Sequence, residues 1–168
     1  MQTYIGTKII KASPMTRQQY NDYRGWLLPE DENGDDEGYL VEYVDGGQSN
    51  HANHEGYISW SPKEVFENAY NPTSGMTFGH ALEMLKRGHR VARAGWNGKG
   101  MWLILVPGTA HCQLRPGTPY AEALKQESCE ILPHIDMWTI NAHGRRAMLP
   151  GWPASQSDML ADDWMIIE

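Results

Sequence analysis

The stretch TFGHALEMLKRGHRVARAGWNGKGMWLILV, residues 77–106, decides how the second half of this chain folds. Apolar residues in its first part recur at helical spacing. They are Phe78, Ala81, Leu82 and Leu85. Thr77 is positioned to cap this helix and Gly88 to end it. Extended runs on both sides of a glycine-rich turn come next. The stretch therefore predicts a helix followed by strands that a tight turn connects.

Short extended segments separated by Gly, Pro and Asn continue to the C terminus. In order, the segments are HRVARA, MWLILV, HIDMWTI, RRAML and WMIIE. Such a succession predicts an antiparallel sheet packed by one helix. Ser155 and Asp158 have the spacing of a capping box, which predicts a short helical turn before the last strand.

Helix breakers in AYNPTSGMTF, residues 69–78, predict a domain boundary at about 71–76. Before it, the elements follow the order β-α-β-β-α, and Ser61 is positioned to cap the last helix. The residues of that helix expected to face the sheet are Val65, Phe66 and Ala69. We therefore expect an α+β protein of two small modules, residues 1–72 and 76–168, each an antiparallel sheet packed by short helices.

Acidic residues are concentrated in the first half of the chain. Residues 1–75 contain 5 of the 14 Lys and Arg residues but 12 of the 21 Asp and Glu residues. Residues 76–168 contain 9 of each kind. The net charge of −7 therefore arises before residue 76, and the acidic run at residues 29–38 carries much of it. Acidic surfaces repel phosphate backbones, so we expect no binding to DNA or RNA.

The remaining composition favours a protein of the cytoplasm. No apolar run approaches the roughly 20 residues that span a bilayer, and the N terminus lacks the pattern of a secretory signal. Cys112 and Cys129 show no C-x-x-C spacing, so we expect reduced thiols and no structural metal.

Arrangements that would carry catalysis are scarce in the sequence. His51 and His54 lack a carboxylate at helical spacing, which favours a polar loop over a metal site. His134 and Asp136 share a strand face and could meet, although a structural hydrogen bond is the favoured interpretation. We expect a binding protein without cofactor rather than an enzyme. A nucleotide-cleaving enzyme using His134 and Asp136, and a host-protein interaction module using the acidic half, are the alternatives.

Tryptophans divide into two groups by their local sequence. Trp102 and Trp164 lie in predicted strands, where core packing is the simpler interpretation. Trp96 and Trp152 lie in turns flanked by Gly or Pro, where sheet packing explains a large indole less well. Stacking on a planar ligand is the other interpretation, since a base gains about 1–3 kcal/mol on an aromatic ring.

Three blocks in the second module carry a resemblance to a known family. They are ARAGWNGKG, PHIDM and WPASQSDMLADDW, in that order. Residues 76–168 closely resemble the second Thoeris anti-defence family of phage proteins. The resemblance implies a signal sponge, which binds and sequesters cyclic ADP-ribose isomers without cleaving them. Some members also bind cyclic oligonucleotides at a separate site. It further implies a homo-oligomer, a dimer or tetramer, with ligand pockets between subunits.

The resemblance also implies a set of ligand-binding residues. Trp96 would stack on the adenine, with Asn97 beside it in the turn and Trp152 as a second aromatic side chain. Residues matching the family's polar stretch, expected at ribose hydroxyls, are Ser155, Gln156 and Asp158. Arg93 and Lys99 are our choices for the pyrophosphate, from charge and proximity to Trp96 alone.

Two regions depart from this pattern or add to it. The segment between VPG and PHIDM varies in the family, and here it inserts RPGTPYAEALKQESCEIL, which contains a candidate short helix. The N-terminal module resembles an uncharacterised phage module, and that resemblance implies no activity.

Overall fold

The computed structural model describes residues 1–98 and 100–168, which form two compact units, Met1–Asn71 and Pro72–Glu168. Elements of the first unit are β1 (Ile10–Pro14), α1 (Arg17–Arg24), β2 (Gly38–Tyr43), β3 (Tyr57–Pro62) and α2 (Lys63–Ala69). Elements of the second unit are α3 (Phe78–Lys86), β4 (Arg90–Arg93), β5 (Trp102–Val106), β6 (Thr109–Gln113), α4 (Pro119–Leu124), β7 (Ser128–Ile131), β8 (His134–Ile140), β9 (Arg146–Leu149), α5 (Gln156–Met159) and β10 (Trp164–Ile167). Antiparallel sheets with short helices in both units confirm the expected α+β class. Within the described ranges, no helix has both the length and the apolar composition needed to cross a bilayer.

The first unit is a three-stranded antiparallel sheet in the order β1-β2-β3. Its helix α1 begins at a complete capping box on Thr16 and ends at Gly25, whose φ of 68° is left-handed. Tyr20 of α1 is buried together with Leu40 and Ile58 of the sheet. These side chains form the core of the unit on one face of the sheet.

The prediction for α2 was wrong in two respects. Strand β3 continues through Ser61 and Pro62, so Pro62 occupies the N-cap position without a side-chain hydrogen bond. None of the helix residues is buried, and Val65 and Ala69 are exposed. Phe66 alone among the three expected core residues keeps a packing role, since it stacks on Tyr39 at 4.0 Å between ring centroids. Strand pairing overrides the local helix signal here, because Ser61 is the register partner of Tyr39.

The second unit is built on a five-stranded antiparallel sheet in the order β10-β4-β5-β8-β9. Helix α3 begins at Thr77, whose side chain accepts a hydrogen bond from the backbone of His80. The fully or nearly buried residues of this unit include Ala81, Leu85, Val91, Leu103 and Trp164. They pack α3 against β4, β5 and the edge strand β10, as the apolar spacing of the helix predicts.

The two tryptophans expected in the core are buried to different extents in the structure. Trp164 is fully buried, as predicted. Trp102 is half-buried and stacks on Trp138 at 5.8 Å between centroids, while the Arg90 guanidinium lies over its ring. Trp102 and the fully buried Leu103 alternate along β5, so they lie on opposite faces of the sheet.

Between β5 and β8 the chain forms a separate two-stranded sheet, β6 with β7. The candidate short helix of the inserted segment is present there as α4, with Pro119 in its first turn.

Truncation of Leu103 tests the position of this core. Leu103→Ala should lower the free energy of unfolding by about 2–5 kcal/mol, because the fully buried leucine leaves a cavity. Leu132→Ala removes the same atoms from a side chain that is 68% exposed and should stay within about 0.5 kcal/mol. Urea unfolding measures both. Equal losses in the two variants would contradict this core.

Candidate ligand-binding site

The turn that follows β4 is held from the end of the chain by Asp163. Its carboxylate Oδ2 accepts the backbone N–H of Gly95 at 2.7 Å, and its carbonyl accepts the N–H of Ala94 at 3.0 Å. A Cβ at Gly95 would lie only 2.7 Å from Asp163 Oδ2, so a larger residue at this position would displace the carboxylate that holds the turn. The glycine before Trp96 therefore leaves room for the Asp163 carboxylate, whose hydrogen bond holds the turn that carries the indole.

Asp158 connects that turn to α5. Its Oδ1 accepts the indole Nε1–H of Trp96 at 3.0 Å and Nη1–H of Arg93 at 2.9 Å. Its Oδ2 accepts the Ser155 hydroxyl at 2.6 Å and the Ser155 backbone N–H at 3.2 Å. Asp158 is 8% exposed, so these four hydrogen bonds satisfy a buried carboxylate. The confirmed capping box of α5 is part of this arrangement.

The hydrogen bonds keep Asp158 ionised. Burial alone raises the pKa of this carboxyl, but donors from Ser155, Trp96 and Arg93 outweigh burial and lower the pKa to about 2. The Asp158 carboxylate is therefore a fixed negative charge at neutral pH.

Arg93 lies between two carboxylates. Its Nε donates to Asp163 Oδ1 at 2.7 Å, and its Nη1 donates both to Asp158 and to the Ser157 carbonyl. These partners raise the pKa of Arg93, the hydrogen bond to Asp163 most of all. One guanidinium against two carboxylates leaves a formal charge of −1 on the three side chains. Arg93 therefore supports the turn, and its charge is already compensated.

Three indoles form one cluster in the second unit. Trp164 is fully buried, and Trp96 and Trp152 pack edge-to-face against it at 5.4 and 6.2 Å between ring centroids. Trp96 and Trp152 are half-buried and meet at 6.1 Å with an interplanar angle of 66°. A purine sandwiched between parallel rings needs about 7 Å, twice the carbon–carbon contact distance. The two indoles therefore form an angled patch rather than a parallel clamp.

Asp136 holds the loop that carries Trp152. Its Oδ1 accepts the N–H of Gly151 at 3.0 Å, and Trp152 donates its own N–H to the Ile135 carbonyl at 2.7 Å. His134 Nε2 lies 3.5 Å from the same Oδ1, so the two residues do meet. In this arrangement Asp136 positions the loop.

The structure joins five of the eight predicted site residues into one connected cluster. They are Arg93, Trp96, Trp152, Ser155 and Asp158. Asn97 and Gln156 are exposed next to this cluster in the chain. The prediction for Lys99 falls outside the described residues. Arg146, which the family resemblance did not assign to the site, donates its Nη1–H to the Gly100 carbonyl at 2.8 Å. The two residues are 46 apart in the chain, so no local spacing reveals this contact.

The histidine loop of the first unit contacts a carboxylate of β2 that sequence spacing did not reveal. His54 Nδ1 lies 3.1 Å from Glu42 Oε2, and its Nε2 is 3.0 Å from the Tyr23 hydroxyl. Over residues 1–98 and 100–168 together, no three His, Cys, Asp or Glu side chains come together as a metal site.

Comparison with known proteins identifies the family of the second unit. The model of the Tad2-like family, the Thoeris anti-defense 2-like domain, matches residues 76–167. The chain belongs to this family. The protein named Thoeris anti-defense 2 of Bacillus phage SP01 is 36% identical over 92 residues, which cover 55% of this chain and 94% of the relative. Family membership confirms the resemblance drawn from the three blocks and supports a phage Thoeris anti-defence role.

Asp158→Asn tests the carboxylate that joins the cluster. The variant should lose about 1–3 kcal/mol of unfolding free energy at neutral pH, because an amide cannot accept all four donors. The folded pKa of about 2 lies below the ordinary value of 3.8, so the stabilisation is present above pH about 4 and is lost as the pH falls toward about 2. The stability gap between wild type and variant, measured by thermal unfolding, should therefore narrow with acidification.

The exposed neighbour Asp162 provides the control. Asp162→Asn should change stability little at any of these pH values. A gap that stays constant from neutral pH to about pH 3 would contradict the role of Asp158.

Proposed function

We propose that this protein opposes Thoeris defence by binding a cyclic ADP-ribose-type signal and holding it intact in the infected bacterial host. The observation that carries the proposal is the aromatic and polar patch on the family domain, with half-buried Trp96 and Trp152 beside exposed Ser155 and Gln156. A planar base and a ribose need these two kinds of surface, a ring face and hydroxyl-binding groups.

The proposal assigns different roles to the predicted residues. Trp96 offers a ring face, because its Nε1–H edge is already bound to Asp158. Asn97 and Gln156 are exposed and offer polar contacts to ribose hydroxyls, whereas the Ser155 hydroxyl already donates to Asp158 Oδ2 and accepts the Asp158 N–H. Asp158 positions the indole rather than the ligand, since its four acceptor sites are occupied inside the protein.

The charge of the cluster supports a pocket that needs further groups for a pyrophosphate. A pyrophosphate needs cationic or N–H donors, and the Arg93 cluster carries a formal charge of −1. We propose that a homo-oligomer, a dimer or tetramer, completes the pocket with groups of a second copy. A separate site for cyclic oligonucleotides is an extension of the same proposal.

Capture without cleavage is testable with a cyclic ADP-ribose isomer. The protein is incubated with the isomer, freed of unbound ligand by gel filtration, and heat-denatured, and the supernatant is analysed by mass spectrometry. We expect the intact isomer in amounts that match the protein. Linear ADP-ribose would instead identify a nucleotide-cleaving enzyme, and His134→Ala would then be expected to abolish turnover. Recovery of neither compound would contradict the proposal.

The indole face of Trp96 should contribute strongly to capture. Trp96→Ala should weaken binding by at least about tenfold, since stacking is worth about 1–3 kcal/mol per base. Trp96→Phe keeps a ring for stacking while removing the Nε1–H bond to Asp158, so it should lose less affinity than Ala. Calorimetric titration measures affinity, and circular dichroism reports whether each variant is folded.

Trp26→Ala provides a matched control for Trp96. Trp26 is 51% exposed and lies in the first unit, outside the family domain, so its truncation should leave the affinity unchanged. An unchanged affinity in folded Trp96→Ala would reduce Trp96 to a packing role.

Deletion of residues 1–71 separates capture from a host-protein interaction through the acidic half. The remaining unit should retain capture, because the family match lies within it and covers 94% of the phage SP01 relative. Equilibrium binding to the same isomer measures this. Loss of capture by a folded truncated chain would place part of the site in the first unit.

A further inference from the structure

Two cysteines face each other in the segment that the family domain inserts between β5 and β8. Cys112 of β6 and Cys129 of β7 are direct register partners, although residues 113–128 separate them along the chain. Both are half-buried and both are free thiols. The sequence offered no C-x-x-C spacing, and hairpin pairing supplies the proximity instead.

The pairing geometry favours a disulfide that is readily reduced. Leu114 donates its N–H to the Glu127 carbonyl at 2.8 Å, which makes these two residues a hydrogen-bonded pair. The two kinds of pair alternate along an antiparallel ladder, so Cys112 and Cys129, two residues further along, are also a hydrogen-bonded pair. The Cβ atoms of such a pair are about 5.5 Å apart. A disulfide needs a Cβ separation of about 3.5–4.5 Å, so the two strands must approach each other. Disulfides formed under strain are more easily reduced.

We propose that Cys112 and Cys129 form a reversible oxidation site that closes residues 113–128 into a loop. An oxidant of the peroxide class accepts the two electrons that the two thiols lose. One thiolate attacks a peroxide oxygen and breaks the O–O bond, which gives a sulfenic acid and a hydroxide that takes up the proton lost by the thiol and leaves as water. The second thiol then displaces the hydroxyl as a second water molecule, and the S–S bond forms. The loop contains the whole of α4, so oxidation would restrain the inserted segment.

Peptide mapping of the full chain tests this site. Protein purified under reducing conditions is treated with hydrogen peroxide and alkylated, and trypsin then cuts after Lys125, between the two cysteines. We expect the intact mass to fall by two hydrogens. We also expect the peptides that carry Cys112 and Cys129 to migrate as one linked species until dithiothreitol separates them.

A register-shifted variant serves as the matched control. Ser128→Cys combined with Cys129→Ser keeps two cysteines but moves one thiol to the other face of β7. Its intramolecular disulfide should form at about one tenth of the native rate or more slowly still, because the two thiols no longer oppose each other. Native protein that keeps two alkylatable thiols would overturn the proposal. Equally rapid crosslinking in the shifted variant, or bonds only between separate chains, would overturn it too.

Discussion

A buried carboxylate holds the candidate site together. Asp158 accepts hydrogen bonds from Trp96 and Arg93, which lie 62 and 65 residues away in the chain, and from Ser155 in its own turn. Each donor fixes a different segment, namely the turn after β4, the end of β4 and the start of α5. Because loss of any one donor leaves part of a buried charge unsatisfied, the three segments are coupled in position.

This anchoring limits how the two indoles would stack on a ligand in the proposed function. Trp96 is held by its edge, and Trp152 meets it at 66°, so a base gains one stacking face at a time. One face is worth about 1–3 kcal/mol, whereas nanomolar sequestration needs about 12 kcal/mol. Most of the affinity required by a sequestering protein must therefore come from polar contacts and from exclusion of water.

The sequence predicts features that depend on neighbouring residues and misses those that depend on distant ones. Capping by Ser155 and the α+β class are confirmed because caps and apolar spacing are local signals. The core role of Val65 was wrong, because pairing of β3 through Pro62 displaced the start of the helix. Arg93 was interpreted as a ligand contact from its charge and its proximity to Trp96, and Asp158 from its match to the polar stretch of the family. Their mutual ion pair joins residues 65 apart, and no spacing rule reveals such a pair.

Charge limits what one copy of the family domain recognises by itself. The Arg93 guanidinium is shared between Asp158 and Asp163, so the cluster beside Trp96 is formally anionic and repels a pyrophosphate. Countercharge must therefore lie outside this cluster. Arg146 reaches the end of the same turn through the Gly100 carbonyl, and a second copy would bring further donors to the patch. In the proposed assembly, the ring face of one copy would be combined with countercharge from another part of the same copy or from a second copy.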